Sequence, residues 1–180
     1  MKVIKGLIRR LEYCIEFILC KIRYGTGFKQ MGFIKGLNNL QIIVTNHGKL
    51  NIGKGCSFQK NVSLSSIGGE LSIGNHVIWN RNCIAICQKE ITIADNVIIG
   101  PGVTIYDHDH VFSKIGIESG YKTGSVRIDK GCWIAANVTI LRNTHIGEGS
   151  VIGAGAIVKG NIPPHSLVTS NRSLTINPIS

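Results

Sequence analysis

From Ile128 to Pro163 the chain reads in sixes. An aliphatic residue opens each unit, at Ile128, Ile134, Ile140, Ile146, Ile152 and Val158, and a small or aliphatic residue stands four places later. Unbroken register over this length predicts a parallel β-helix built from hexapeptides. Three hexapeptides make one coil of about eighteen residues, each supplying a short strand and a corner. The leading Ile or Val points inward and stacks on its counterpart one coil away. Gly, Asn and Asp serve the corners, where other residues are strained. Upstream the frame is less regular. Units start at Ile52, Phe58 and Leu64, slip and resume at Ile67, Ile73, Trp79, Ala85 and Ile91, then slip again to give Ile93, Ile99 and Ile105.

The remaining segments do not follow the six-residue period. Over residues 1–24, Ile4, Ile8, Leu11, Ile15, Ile18 and Ile22 alternate spacings of four and three, which predicts an amphipathic helix with these residues on one face. Its basic residues, Lys2, Lys5, Arg9, Arg10, Lys21 and Arg23, outnumber Glu12 and Glu16. Its longest apolar run, Phe17 to Cys20, is far short of the ~20 residues of a membrane span. Two readings stand for it: a helix that packs on the solenoid or a neighbouring subunit, or a peripheral anchor on anionic lipid. Residues 25–39 read as a linker wrapping the first coil. The expected organisation is therefore a helix and linker over 1–39, a β-helix domain over 40–170, and a C-terminal tail over 171–180. Between Ile105 and Ile128 the repeat stops, which predicts an extruded loop over 106–127. Such insertions often serve binding.

Aromatic residues make up 6% of the 180-residue chain and glycine contributes 22 residues, as suits a core of stacked aliphatics. The net charge of +10 points to an anionic partner such as a phosphorylated cofactor or a membrane surface. Nucleic acid is not expected, because no aromatic-and-basic cluster, zinc-finger spacing or basic helix-turn-helix pattern is present. Of six cysteines, Cys56, Cys83 and Cys132 fall on the small fifth position of a unit, so packing explains them. Cys83 and Cys87 have no second pair to complete a metal site, so no metal is expected and reduced thiols in a cytoplasmic protein are.

The densest cluster of titratable groups, Asp107-His108-Asp109-His110, stands at the mouth of the interruption. Histidine is the side chain best suited to take a proton near neutrality, so either imidazole is a candidate general base. His76 and His145 fall on corner or outward positions and read as solvated. Trp133 reads as packing on a coil face. Gly53-x-Gly55 and Gly153-x-Gly155 are explained as corners, since no Gly-Lys-Ser/Thr follows.

Three stretches carry a resemblance: Pro101-Gly-Val-Thr-Ile-Tyr-Asp-His108, Gly131-Cys-Trp133-Ile-Ala-Ala-Asn137-Val, and Ser150-Val-Ile-Gly-Ala-Gly155-Ala-Ile-Val-Lys159 followed by Ile162-Pro163-Pro164. Over roughly residues 50–170 the chain resembles the hexapeptide-repeat acyltransferases, in particular the galactoside and maltose O-acetyltransferase branch and the capsule and lipopolysaccharide acetyltransferases. The resemblance implies an all-β, left-handed parallel β-helix assembled as a homotrimer with active sites between subunits. It implies acetyl-coenzyme A as co-substrate and a hydroxyl of a sugar or glycan intermediate as acceptor. It further implies His108 as catalytic base, with His110 the alternative, and Asn80 facing the reaction from a neighbouring coil. Ala136, Ala154, Lys159 and Gly160 match positions lining the coenzyme channel, and Arg172 is nearest to the family's C-terminal arginines. Arg142 and Lys159 would offer charge to the phosphates. The sequence departs from the family at Asp107-His108-Asp109, where Gly-His-Pro is usual, and at Lys159-Gly160, where Thr-Lys is usual. Two other readings of the same prism are a non-catalytic scaffold and a γ-carbonic anhydrase-like metalloenzyme, which needs three converging imidazoles.

Overall fold

A computed structural model gives the structure of the chain and describes residues 2–170. Every leading residue of the C-terminal frame is buried: Ile128, Ile134, Ile140, Ile146, Ile152 and Val158. They stack between coils rather than along the chain. Ile52 lies beside Ile73, then Ile93, Ile128, Ile146 and Ile162 in turn. A second ladder runs through Phe58, Trp79, Ile99, Ile134, Ile152 and Val168. A third runs through Leu64, Ala85, Ile105, Ile140 and Val158. Three parallel ladders make three faces, and the result is a parallel β-helix. Full burial of one such aliphatic side chain stabilises the fold by about 1.5–3 kcal/mol, so the ladders are its main support.

The faces take their names here from chain order within a coil. The first face contains Lys49–Ile52, Glu70–Ile73, Glu90–Ile93 and Val126–Ile128. Ser57–Phe58, Ile78–Trp79, Ile98–Ile99, Trp133–Ile134, Val151–Ile152 and Leu167–Val168 form the second. On the third lie Leu40–Thr45, Val62–Ile67, Ile84–Cys87 and Thr104–Tyr106. The long strands Thr139–Ile146 and Ile157–Ile162 pass from the third face to the first, with a break in register between Ile140 and Thr144. Asparagines turn the corner between the second and third faces: Asn61, Asn82 and Asn137 all have φ between 56° and 60°. Asn61 also donates from Nδ2 to Oδ1 of Asn82 at 3.0 Å, joining successive coils. Gly53 serves another corner, where a Cβ would stand 2.4 Å from the carbonyl oxygen of Gly74.

Three sequence expectations change. Ile67 is half-buried at the end of its strand and does not lead a unit; the inward positions nearby are Leu64 and Leu71. The additional residues of these coils lie in the corners around Thr45–Gly48 and Ser66–Gly69, which are bound to each other through Gly68 N–H to Thr45 O. Coiling also starts at Phe28 rather than Leu40. Phe28 pairs with Leu50, and Lys35 bridges Ser57, so the expected linker is the first coil itself. Finally, the extruded segment is a β-hairpin, His108–Ser113 against Gly116–Thr123, not an irregular loop.

The N-terminal helix spans Lys2–Tyr24 and rests on this first coil. Phe17, Cys20 and Tyr24 face the core, with the Phe17 and Phe28 rings 6.5 Å apart. Tyr24 Oη donates to the carbonyl of Ile42, and Lys21 Nζ to that of Phe28. The face predicted from the isoleucine spacing is not the docked one: Leu11, Ile15, Ile18 and Ile22 are exposed. The side chains of Ile4 and Ile8 lie outside the described part.

Candidate active site

Where the third face gives way to the first, the chain leaves the prism after Tyr106. Asp107 is the hinge of that departure and is fully buried. Its carboxylate accepts the backbone N–H groups of Gln88, Lys89 and Glu90 in the adjacent coil, at 2.7–3.0 Å. Oδ1 also lies 3.0 Å from Nδ1 of His108. Every neighbour of this carboxylate is a donor, so Nδ1 of His108 carries the hydrogen of that bond. The ring is then the tautomer with a free lone pair on Nε2. Tyr106 and Tyr121 meet the imidazole edge-on, with centroids 6.2 and 5.1 Å away. The His108 side chain is 11% exposed, so the ring is mostly enclosed. His110, two residues along the hairpin, is exposed beside Tyr121 and has no carboxylate partner among the described residues.

Sequence reasoning found His108 but assigned nothing to Asp107, which lay in plain view within the Asp-His-Asp-His run. Its burial depends on the corner at Gln88–Glu90, a partner supplied by another coil. Burial first, then the charge of Asp107, push the Cys87 thiol far above its ordinary 9.0, so this cysteine is neither a nucleophile nor a ready ligand. Among the described residues no group of three His, Cys, Asp or Glu side chains is arranged to hold a metal ion.

Arg142, expected to meet phosphates, is engaged elsewhere. Its Nε donates to Asp109 Oδ2 and so ties the base of the hairpin to the strand Thr139–Ile146. His145 is exposed as expected and pairs with Asp129 at 2.8 Å on the first face, where Asp129 also accepts from Arg127 at 2.7 Å. Trp133, expected on a coil face, lies on the outer side of the second face in register between Ile98 and Val151 and is 51% exposed. His76 sits at a corner with φ 57°.

The remaining expected site residues divide between two edges of the prism. Lys159 and Gly160 lie two coils above His108 on the same edge, since Val158 pairs with Ile140 and Gly160 with Thr144. Lys159 is exposed, with no ion-pair partner among the described residues. Asn80, Ala136 and Ala154 lie on the edge between the second and third faces. There Gly155 donates to the carbonyl of Ala136, and Asn137 to that of Pro101. Asn80 Nδ2 donates to the Ile99 carbonyl at 2.8 Å, which leaves its second amide hydrogen unused. Within one chain the whole width of the third face separates Asn80 from His108. Arg172 lies outside the described residues. A cavity of about 930 Å³ opens on Asn80's edge nearer the helix, lined by Glu16, Lys35, Lys60, Arg81 and neighbouring residues; it contains no histidine.

Residues 125–160 match the family described as bacterial transferase hexapeptide (six repeats). A protein of Schizosaccharomyces pombe named as an acetyltransferase is 35% identical over 113 residues, covering 62% of this chain and 55% of that protein. One of Staphylococcus aureus strain Mu50, also named as an acetyltransferase, is 38% identical over 117 residues, covering 62% and 59%. The chain thus spans a little over half the length of these relatives. Among solved structures, a single-residue variant of AntD, an N-acyltransferase from Bacillus cereus in complex with dTDP-4-amino-4,6-dideoxyglucose and coenzyme A, superposes with a TM-score of 0.65 at 21% identity, covering 91% of this chain and 90% of that one. The polySia-specific acetyltransferase NeuO superposes with a TM-score of 0.55 at 20% identity, covering 80% and 67%. These two likenesses are likenesses of fold. Taken with the hexapeptide register and the stacked ladders, the matches make the chain similar to hexapeptide-repeat transferases, with the family's own repeat model matched over residues 125–160.

Proposed function

We propose that the protein transfers an acetyl group from acetyl-coenzyme A to a hydroxyl of a sugar or glycan intermediate, with His108 as general base. The observation that carries this reading is the Asp107–His108 pair, in which the buried carboxylate holds Nδ1 and leaves Nε2 as the ring nitrogen that can take a proton. The acceptor hydroxyl gives its proton to Nε2 as its oxygen attacks the thioester carbonyl. An amide hydrogen of Asn80 steadies the oxyanion. The carbon–sulfur bond then breaks and the thiolate takes the proton from Nε2–H. No covalent enzyme intermediate is needed.

Asn80 and His108 can share one site only if two chains contribute, so the proposed unit is a homotrimer. An apolar line on the second face supports a second copy there: Ile78, Ile98, Trp133, Val151 and Leu167 are in register from coil to coil and point outward. Ala136 and Ala154 would then wall the channel for the pantetheine arm, while Lys159 and Gly160 border it from the His108 side. The buried reduced thiols fit a cytoplasmic enzyme.

Thiol release from acetyl-coenzyme A, followed across a panel of sugars, amino sugars and nucleotide sugars, tests the reading. At least one acceptor should stimulate release, and His108→Ala should lower the rate by about 10²–10⁴-fold, the usual worth of a positioned base. A rate unchanged by His108→Ala would overturn it. Preference for an amino over a hydroxyl acceptor would move the protein toward the chemistry named for AntD.

A further inference from the structure

We infer that the N-terminal helix docks on an anionic lipid surface through the face it turns away from the prism. Phe17, Cys20 and Tyr24 hold the helix to the first coil, so its orientation is fixed by the fold. Opposite them, Leu11, Ile15, Ile18, Leu19 and Ile22 are between 50% and 76% exposed. Residues at these spacings share one stripe of a helix that turns by about 100° per residue. Among the described residues nothing covers that stripe, although a helix needing only one apolar face for docking requires no second.

Charge selects the occupant. At the same turn per residue, Arg23 borders the stripe on one side and is exposed, while Lys21 lies beyond its other side with its ammonium held by the Phe28 carbonyl. The helix as a whole carries six basic residues against Glu12 and Glu16, and the chain carries +10. An apolar stripe on a basic helix suits an interface of acyl chains and anionic headgroups. A second copy of this chain is a poorer fit, since it would bring like charges together. The outward apolar line suited to a second copy runs along the second face, whereas the helix lies over the first coil at one end of the stack. No helix among the described residues is long and apolar enough to cross a membrane, so the contact is one of lying on the surface.

The test is co-sedimentation of the full chain with phosphatidylcholine vesicles, with and without about one third phosphatidylglycerol. Binding to the mixed vesicles is expected, weaker at high salt. It should fall by about tenfold or more in Ile15→Glu/Ile22→Glu, which sets two charges into the apolar stripe. Leu11→Glu/Ile18→Glu is the second variant, should the first lose its helical circular dichroism. No binding of the intact chain, or binding that both folded variants retain, overturns the inference. So does a fall in native mass in either variant, which would show that another copy covers the stripe. Thiol release without vesicles is read in parallel, so failure of the lipid contact is distinguishable from failure of the catalytic reading.

Discussion

The carboxylate of Asp107 serves two groups at once. It closes the corner at Gln88–Glu90 by accepting three backbone N–H groups, and it holds the His108 ring. Asp107→Ala therefore leaves part-buried donors without their acceptor, at roughly 1–3 kcal/mol for a group with no substitute partner. Urea unfolding should show a loss of at least about 1 kcal/mol, and kcat should fall with little change in KM for acetyl-coenzyme A. Loss of stability with kcat intact would confine Asp107 to the corner. His110→Ala is the control within the same hairpin. Its ring is exposed and has no carboxylate partner among the described residues, so its rate should stay within about threefold of wild type. At this scale the sequence displayed the candidate imidazole but not its environment. Four adjacent titratable residues look alike on paper. Only the coil beneath makes Asp107 buried and His110 exposed, and that coil lies some twenty positions away in the chain.

Strands and corners set the next scale. The pairing of Val126–Ile128 with Thr139–Ile146 brings Arg127, Asp129 and His145 together on the first face. Burial alone would raise the Asp129 carboxyl, but the bonds from His145 and Arg127 outweigh it and hold the group below its ordinary 3.8. The folded state thus binds fewer protons here than the unfolded chain, and stability rises with pH through this window. The contribution is fully present above pH 3.8 and is lost as the pH falls through the lowered folded value. Melting of wild type and Asp129→Asn should differ above pH 3.8 and converge below it; a gap that widens on acidification would refute this account. Element identity was legible where a period imposed it. Ile128 to Val158 hold one frame, and all six leading residues are buried. Ile67 broke the frame because corner residues were counted as a strand. The hairpin resembles a plain loop in sequence because Gly116–Thr123 is exposed throughout, so no buried side imposes an apolar alternation. The start at Phe28 was hidden by a short first coil, where Phe28 and Ile34 stand six apart but Leu37, three residues on, also reaches the core and breaks the frame.

For the whole molecule the decisive fact is that one chain holds half of the proposed site on each of two edges. His108, Lys159 and Gly160 share one edge, and Asn80, Ala136 and Ala154 the other, with the third face between them. A closed assembly of identical chains brings one edge of each copy against the other edge of the next. The second face carries the means, since Ile98 and Trp133 are 42% and 51% exposed and adjacent in register. Complementation then separates a shared site from a private one. His108→Ala and Asn80→Ala, each nearly inactive alone, are co-expressed with different tags and purified as mixed assemblies. In a closed ring of randomly mixed equal parts, about one quarter of the sites draw an intact histidine from one chain and an intact asparagine from the next, so about a quarter of wild-type activity should return. A site contained in a single chain returns none, because every chain then lacks one of the two groups. Trp133→Asp sets a charge in the apolar line and supplies the companion measurement: native mass should fall to that of one chain, and activity should fall with it, because His108 no longer meets a partner's edge.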